Sequence, residues 1–177
     1  FARGGANLQG EQKEKYRELS QKLSLLTLQF SENCLKETND YLKVITDSTL
    51  LSGLPESAIT AAKETAQEKG VEGWAFTLHA PSYVPVMTYA DNRDLRKEIY
   101  MAYNTQCTHD NEHNNLDVVK ELANTRMEVA QLLGYKDYAS YMLEDRMAQN
   151  SEAVYNLLNQ LLDAYTPTAK KEYAEVQ

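Results

Sequence analysis

The chain has 177 residues, 42 % of them hydrophobic, with 18 Lys+Arg against 26 Asp+Glu and a formal net charge of −8. That acidity argues against a nucleic-acid binder, which needs a basic face to displace counterions from phosphate, and no apolar run approaches the ~20 residues of a bilayer span. With only 7 Gly and 4 Pro, the composition is neither collagen-like nor that of a Pro/Gly-rich disordered chain. The length suits one domain that can bury a core without help from a metal or a disulfide. The N-terminal FARGGANLQG lacks the apolar stretch of a signal peptide. Phe1 is not a translational start, and Tyr173–Gln177 reads as helix with no Gly, Asn or Pro to stop it. The expectation is a segment cut from a longer parent.

In chain order, residues 11–37 predict a long helix. Tyr16, Leu19, Leu23, Leu26, Phe30 and Cys34 recur at spacings of three and four, and Leu25, Leu28 and Leu35 widen the stripe. Tyr41–Thr46 is rich in β-branched and aromatic types and predicts a short strand. Asp47 or Ser48 then caps a brief helix, Thr49–Gly53. Pro55 opens another helix, which runs to about Lys69 and closes at Gly70. Gly73–Leu78 is a second short strand, available to pair with the first. Pro81–Pro85 reads as a rigid connector, with Pro85 starting a helix over Val86–Ala90 and Asp91 capping the next, Asn92–Thr105. There Leu95, Ile99, Ala102 and Tyr103 form the buried stripe, while Arg93, Arg96 and Lys97 face outward. Residues 106–115 are polar and aperiodic, a loop by composition. Leu116–Leu133 is helical, with Val119, Leu122, Met127, Ala130 and Leu133 apolar and Gly134 as the stop. A short helix near Asp137–Met147 follows, and a last one is capped by Ser151, with a kink or restart due at Pro167. The expected fold is mainly α, a multi-helix array with a long N-terminal helix and a minor two-stranded β feature.

Candidate chemistry is sparse. His109-Asp110-Asn111-Glu112-His113 matches H-x-x-E-H, an inverted zinc motif that needs a regular helix beneath it. Its neighbours Thr108, Asn111, Asn114 and Asn115 favour turns, and no third ligand is assigned, so a solvated loop is the expected state. His79, beside Pro81 at the end of a strand, reads as a packed or hydrogen-bonded histidine. Tyr83, Tyr89, Tyr100 and Tyr103 fall in one stretch that could line a groove, although plain packing is the simpler account. Cys34 and Cys107 follow no CxxC spacing and read as free, reduced thiols. Taken residue by residue, the chain offers no catalytic, cofactor-binding or metal-binding residue.

Several segments carry a resemblance. Arg3-Gly4-Gly5-Ala6-Asn7-Leu8 and Leu25–Asn33 precede Leu51-Ser52-Gly53-Leu54-Pro55. Trp74-Ala75-Phe76-Thr77-Leu78 leads to Pro81–Arg93, and Ala130-Gln131-Leu132-Leu133-Gly134-Tyr135 follows with Tyr138-Ala139. In this order they resemble the thimet-oligopeptidase family of zinc metallopeptidases. Tyr89–Arg93 and Arg146-Met147-Ala148 lean towards its peptidyl-dipeptidase branch, with an oligopeptidase A-like endopeptidase as the alternative. The resemblance implies a mostly helical enzyme around a deep channel. Its zinc is held by H-E-x-x-H and a downstream glutamate, a motif absent from these residues. Residues 1–177 would then be a single helical fragment on the N-terminal, non-catalytic side of the channel, inactive alone and holding no zinc. Zinc and the oligopeptide substrate belong to the parent, with no nucleic-acid or membrane partner. The expected compartment is the cytoplasm, and truncation would favour self-association through apolar surface left uncovered. The rival reading is a stand-alone helical interaction module with an acidic surface.

Overall fold

Residues 1–177 are described in a computed structural model as seven α-helices and one two-stranded sheet. The elements are α1 (Gly10–Asp40), β1 (Lys43–Ile45), α2 (Glu56–Glu68), β2 (Trp74–Phe76), α3 (Ala80–Tyr89), α4 (Arg93–Asn104), α5 (Leu116–Leu132), α6 (Tyr138–Leu143) and α7 (Ser151–Val176). The expected mainly α class, with a long first helix and a small β feature, is the one observed. The chain forms two compact units, one of Leu25–Glu121 and one of Phe1–Ser24 with Leu122–Gln177.

In the unit Leu25–Glu121, β1 and β2 pair antiparallel, with Lys43 opposite Phe76, Val44 opposite Ala75 and Ile45 opposite Trp74. Two strands are marginal alone. Here Ile45 and Phe76 enter a core with Leu51, Leu54, Leu78, Val86, Leu95 and Ile99, supplied by the strands, a 3₁₀ turn and α3–α4. The strands meet closely because Gly73, at φ +98°, has no Cβ; one placed there would lie 2.2 Å from the Ile45 carbonyl oxygen. The 3₁₀ turn Ser48–Leu51 is capped by Asp47, whose carboxylate accepts from the Thr49 N–H at 2.9 Å and from its hydroxyl at 2.7 Å. Those two donors hold the Asp47 carboxyl below its usual range. Gly70 ends α2 as expected. Its N–H donates to Gln67 O at 3.1 Å and that of Val71 to Ala66 O at 2.9 Å, so the last carbonyls are satisfied.

Several expectations fail in this unit, among them the burial of Tyr103 on α4, which is 43 % exposed. The segment Pro81–Pro85 is helix, not connector: Pro81 sits in the first turn of α3, where no donor is needed, and Pro85 lies inside it. The N–H groups of Ser82 and Tyr83 bond to His79 O at 2.9 Å, and the fully buried Val86 anchors the turn that Pro85 weakens. Asn92, not Asp91, caps α4, its Oδ1 accepting from the Leu95 N–H at 2.8 Å, because Asp91 is engaged with Ser52. Arg96 does not simply face outward but turns back onto the carbonyls of Ala90 and Asp91, the latter at 3.0 Å.

In the unit of Phe1–Ser24 and Leu122–Gln177, Arg3 ties the N-terminus to α6. Its guanidinium reaches the Tyr141 carbonyl and the carboxylates of Glu144 and Asp145, and lies 4.7 Å from the Tyr141 ring centroid. Gly134 stops α5: its N–H donates to Gln131 O at 3.0 Å and that of Tyr135 to Ala130 O at 2.9 Å. Asp137 caps α6. Asn150, not Ser151, caps α7, since its Oδ1 accepts from the Ala153 N–H at 2.9 Å. Helix α7 does not restart at Pro167 but continues to Val176, and it buries no residue.

The long helices bury narrower stripes than expected. In α1, Leu19, Leu26 and Asn33 are buried at intervals of seven, whereas Leu25, Leu28 and Leu35 are more than half exposed. In α5 the buried set is Val118, Leu122, Thr125, Val129 and Ala130, while Val119 and Met127 are exposed. A run of apolar residues therefore marks the helix, but only positions on one 3.6-residue period reach the interior.

Candidate functional site

The richest polar cluster lies where the last turns of α1 meet the 105–115 loop, within the unit Leu25–Glu121. Asn33 and Asn115, both buried, are joined by a 2.9 Å bond from Asn33 Nδ2 to Asn115 Oδ1. Asn115 Nδ2 in turn donates to Phe30 O at 3.1 Å and to Cys34 Sγ at 3.4 Å. One turn on, Glu37 accepts from the Cys107 backbone N–H at 2.5 Å with Oε2 and pairs through Oε1 with His109 Nδ1 at 2.6 Å. Gln106 Nε2 donates to Thr38 Oγ1 at 2.6 Å. The loop is thus docked on α1 rather than freely solvated. A row of short polar side chains at one face of α1 makes this docking, and a hydrophobic-period reading passes over it.

Cys107 stands at the turn of this loop with φ +58°, a left-handed conformation rare for a residue with a Cβ. Its carbonyl accepts from the Asn115 N–H at 2.8 Å, closing the loop on itself. The two cysteines, 73 positions apart, come together: Cys107 Sγ lies 3.7 Å from Cys34 Sγ, both as free thiols. Burial pushes the Cys107 thiol up to about 12, assisted by its bond to Cys34 and the nearby Glu37 carboxylate. For Glu37, burial pushes upward, but the His109 contact and the Cys107 amide outweigh it and hold the carboxyl below its usual range.

All three histidines address the end of α1. His79 Nε2 is 3.1 Å from Asn39 Oδ1, His109 pairs with Glu37, and His113 Nε2 lies 3.5 Å from Asp40 Oδ2 and 3.7 Å from Glu112 Oε1. The arrangement gathers the three rings around the last turns of α1. It also dismantles the H-x-x-E-H reading, because no helix underlies residues 109–113 and the two imidazoles serve different carboxylates. No three His, Cys, Asp or Glu side chains converge so as to hold a metal ion. His79 also lines a cavity of about 160 Å³ with Ala62, Thr65, Phe76 and Ser82. Among the tyrosines, Tyr83 and Tyr103 stack with ring centroids 4.2 Å apart, while Tyr89 and Tyr100 are about half exposed.

Two of the family-like segments are knotted together. Asp91 donates its N–H to Ser52 O at 2.9 Å, and its carboxylate accepts from Ser52 Oγ at 2.6 Å. Gly53, at φ +85°, passes so close that a Cβ there would lie 2.2 Å from Tyr89 O. The stretch Leu51–Pro55 and the stretch Tyr89–Arg93 are therefore two sides of one structural tie rather than reactive groups. No helix of the chain is long and apolar enough to cross a membrane.

Comparison with known proteins agrees with the resemblance read from these segments. The profile of peptidase family M3 matches residues 86–177. Oligopeptidase A of Haemophilus influenzae is 39 % identical over 181 aligned residues, covering 100 % of this chain and 27 % of its own length. Oligopeptidase A of Escherichia coli is 40 % identical with the same coverage, and dipeptidyl carboxypeptidase of Escherichia coli is 28 % identical over 100 % of this chain and 26 % of its own length. The chain thus spans about a quarter of the length of these relatives.

Proposed function

The chain belongs to peptidase family M3, and from that membership we propose that residues 1–177 are the upstream, non-catalytic part of a zinc-dependent oligopeptidase. In this reading they supply scaffold and one wall of the channel that receives the peptide. The observation that carries it is the likeness to two oligopeptidase A proteins along the whole of the chain, at 39 % and 40 % identity. The donor set of these residues does not fit the zinc: His109 and His113 are each committed to a different carboxylate of α1, and no third ligand converges with them. The proposed zinc ligands and the water-activating glutamate therefore lie on the remainder of the polypeptide. There the metal would polarise the scissile carbonyl.

Helix α7 supports the scaffold role. Leu158, Leu161, Leu162 and Tyr165 are all exposed, and an apolar face of this kind calls for a cover. In the proposed enzyme that cover is the rest of the same polypeptide, and in the isolated segment it is a second copy. The proposed substrate is an oligopeptide, and the proposed compartment is the cytoplasm. Oligopeptidase A-like cleavage within short peptides is the reading favoured by the higher identities. Release of C-terminal dipeptides is the second reading, favoured by Tyr89–Arg93 with Arg146–Ala148 and by the 28 % likeness to dipeptidyl carboxypeptidase.

The test uses the intact enzyme on one peptide prepared with a free and with an amidated C-terminus, with and without a metal chelator. Endopeptidase action predicts cleavage of both forms, and dipeptidyl action predicts cleavage of the free form only. Activity indifferent to the chelator would refute the zinc peptidase reading.

A further inference from the structure

The structure brings together two thiols that sequence spacing gave no reason to pair, and the polar groups around them differ in a way that distinguishes their roles. Cys34 is half-buried, and its sulfur receives two hydrogen bonds, from Cys107 Sγ at 3.7 Å and from Asn115 Nδ2 at 3.4 Å. Cys34 is therefore the acceptor of the pair and the sulfur more open to solvent, the one a small oxidant reaches first. Cys107 is the donor of the pair, is 3 % exposed, and is held by a left-handed backbone and by its N–H bond to Glu37. Beside it lies the Glu37–His109 pair, a carboxylate and an imidazole able to take up a proton.

We propose that Cys34 and Cys107 form a reversible dithiol–disulfide couple, oxidised by hydroperoxides and reduced by dithiols, that clamps the 105–115 loop to α1. The Cys34 sulfur attacks one peroxide oxygen and loses its thiol proton, the O–O bond breaks, and the leaving hydroxide takes up that proton as water. Cys34 is then a sulfenic acid. Cys107 gives up its proton towards Glu37–His109 and attacks the Cys34 sulfur, expelling the hydroxyl as a second water. Two thiols and one hydrogen peroxide become one disulfide and two waters. Closing the gap from 3.7 Å to a bond of about 2.05 Å asks for a shift of under about 2 Å. The neighbouring bonds Asn33–Asn115 and Glu37–Cys107 already hold both sides in register. A disulfide spanning this separation restricts the unfolded chain and raises the melting temperature of the unit that contains it.

The experiment treats the intact protein with stoichiometric hydrogen peroxide, blocks remaining thiols with N-ethylmaleimide, and maps peptides without reduction. The expected product is a Cys34–Cys107 linked peptide, two hydrogens lighter than its parts and lost on treatment with dithiothreitol. With Cys107→Ser, Cys34 is trapped by dimedone as sulfenic acid, whereas with Cys34→Ser, Cys107 stays reduced. His109→Gln slows appearance of the linked peptide at least several-fold without changing the first oxidation of Cys34. If wild-type protein yields both thiols alkylated and no linked peptide, or if Cys107 oxidises equally fast in Cys34→Ser, the proposal is overturned. The wild-type map decides the matter even where a variant folds poorly.

Discussion

Ile99 on α4 and Leu158 on α7 are both branched aliphatic residues in the middle of well-formed helices, yet one is 0 % exposed and the other 51 %. Around Ile99 the strands, the 3₁₀ turn and α2–α4 close a shared core. Around Leu158 the neighbours Leu161, Leu162 and Tyr165 are equally uncovered. An apolar stripe specifies that a helix needs a partner but not where the partner lies. The core partners of α4 are within the chain, and those of α7 are not met by these residues. The comparison separates what residues 1–177 stabilise for themselves from what they offer to the rest of the proposed enzyme.

The widest contrast is obtained by truncating both side chains. Ile99→Ala is expected to destabilise residues 1–177 by roughly 2–5 kcal/mol, from lost transfer energy and the cavity left behind, and Leu158→Ala by less than about 0.5 kcal/mol. Urea unfolding of the two variants checks this. In a longer polypeptide that covers α7, the cost of Leu158→Ala should rise towards that of Ile99→Ala. A second contrast uses backbone. Gly53→Ala should cost about 3 kcal/mol, because it forces a Cβ against the Tyr89 carbonyl in addition to the left-handed strain. Gly134→Ala, at φ +87° with open space around it, should cost about 1–2 kcal/mol, again read by urea unfolding.

Next in size is Asn33→Ala, which deprives the buried Asn115 Oδ1 of the Asn33 donor and should cost roughly 1–3 kcal/mol by the same measurement. The smallest effect is one of pH. The Glu37 carboxyl titrates below its usual range, so the stability it contributes is present above the ordinary carboxylate pKa and is lost as the pH falls through the lowered value. Thermal melting between neutral and strongly acidic pH should therefore show an acid-side loss that is smaller in Glu37→Gln. Equal acid losses in the two proteins would remove Glu37 from the account.

Much of the helical order was legible because local chemistry governs it. Gly70 and Gly134 end their helices where the sequence places them, and Asp47, one of the two candidates offered there, caps the 3₁₀ turn. Local rules misplace a cap by one residue where two cap-competent side chains stand side by side. In Asp91-Asn92 the tie to Ser52 removes Asp91 from competition, and in Asn150-Ser151 the bond to the Ala153 N–H selects Asn150. Local rules place Pro85 at a helix start, whereas burial of Val86 carries the helix through it. The α1–loop cluster was not legible at all. Its bonds join residues such as Asn33 and Asn115, 82 positions apart, or Cys34 and Cys107, and no periodicity or spacing rule connects such pairs. The H-x-x-E-H string shows the converse, a local pattern that the fold does not use as a unit.

The central claim is that these 177 residues build structure and leave hydrolysis to groups elsewhere in the proposed enzyme. It is tested most directly by assaying purified residues 1–177 on a blocked oligopeptide, with bound zinc measured in the same sample. The account predicts no cleavage and no stoichiometric zinc. Chelator-sensitive cleavage that His109→Ala abolishes would contradict it.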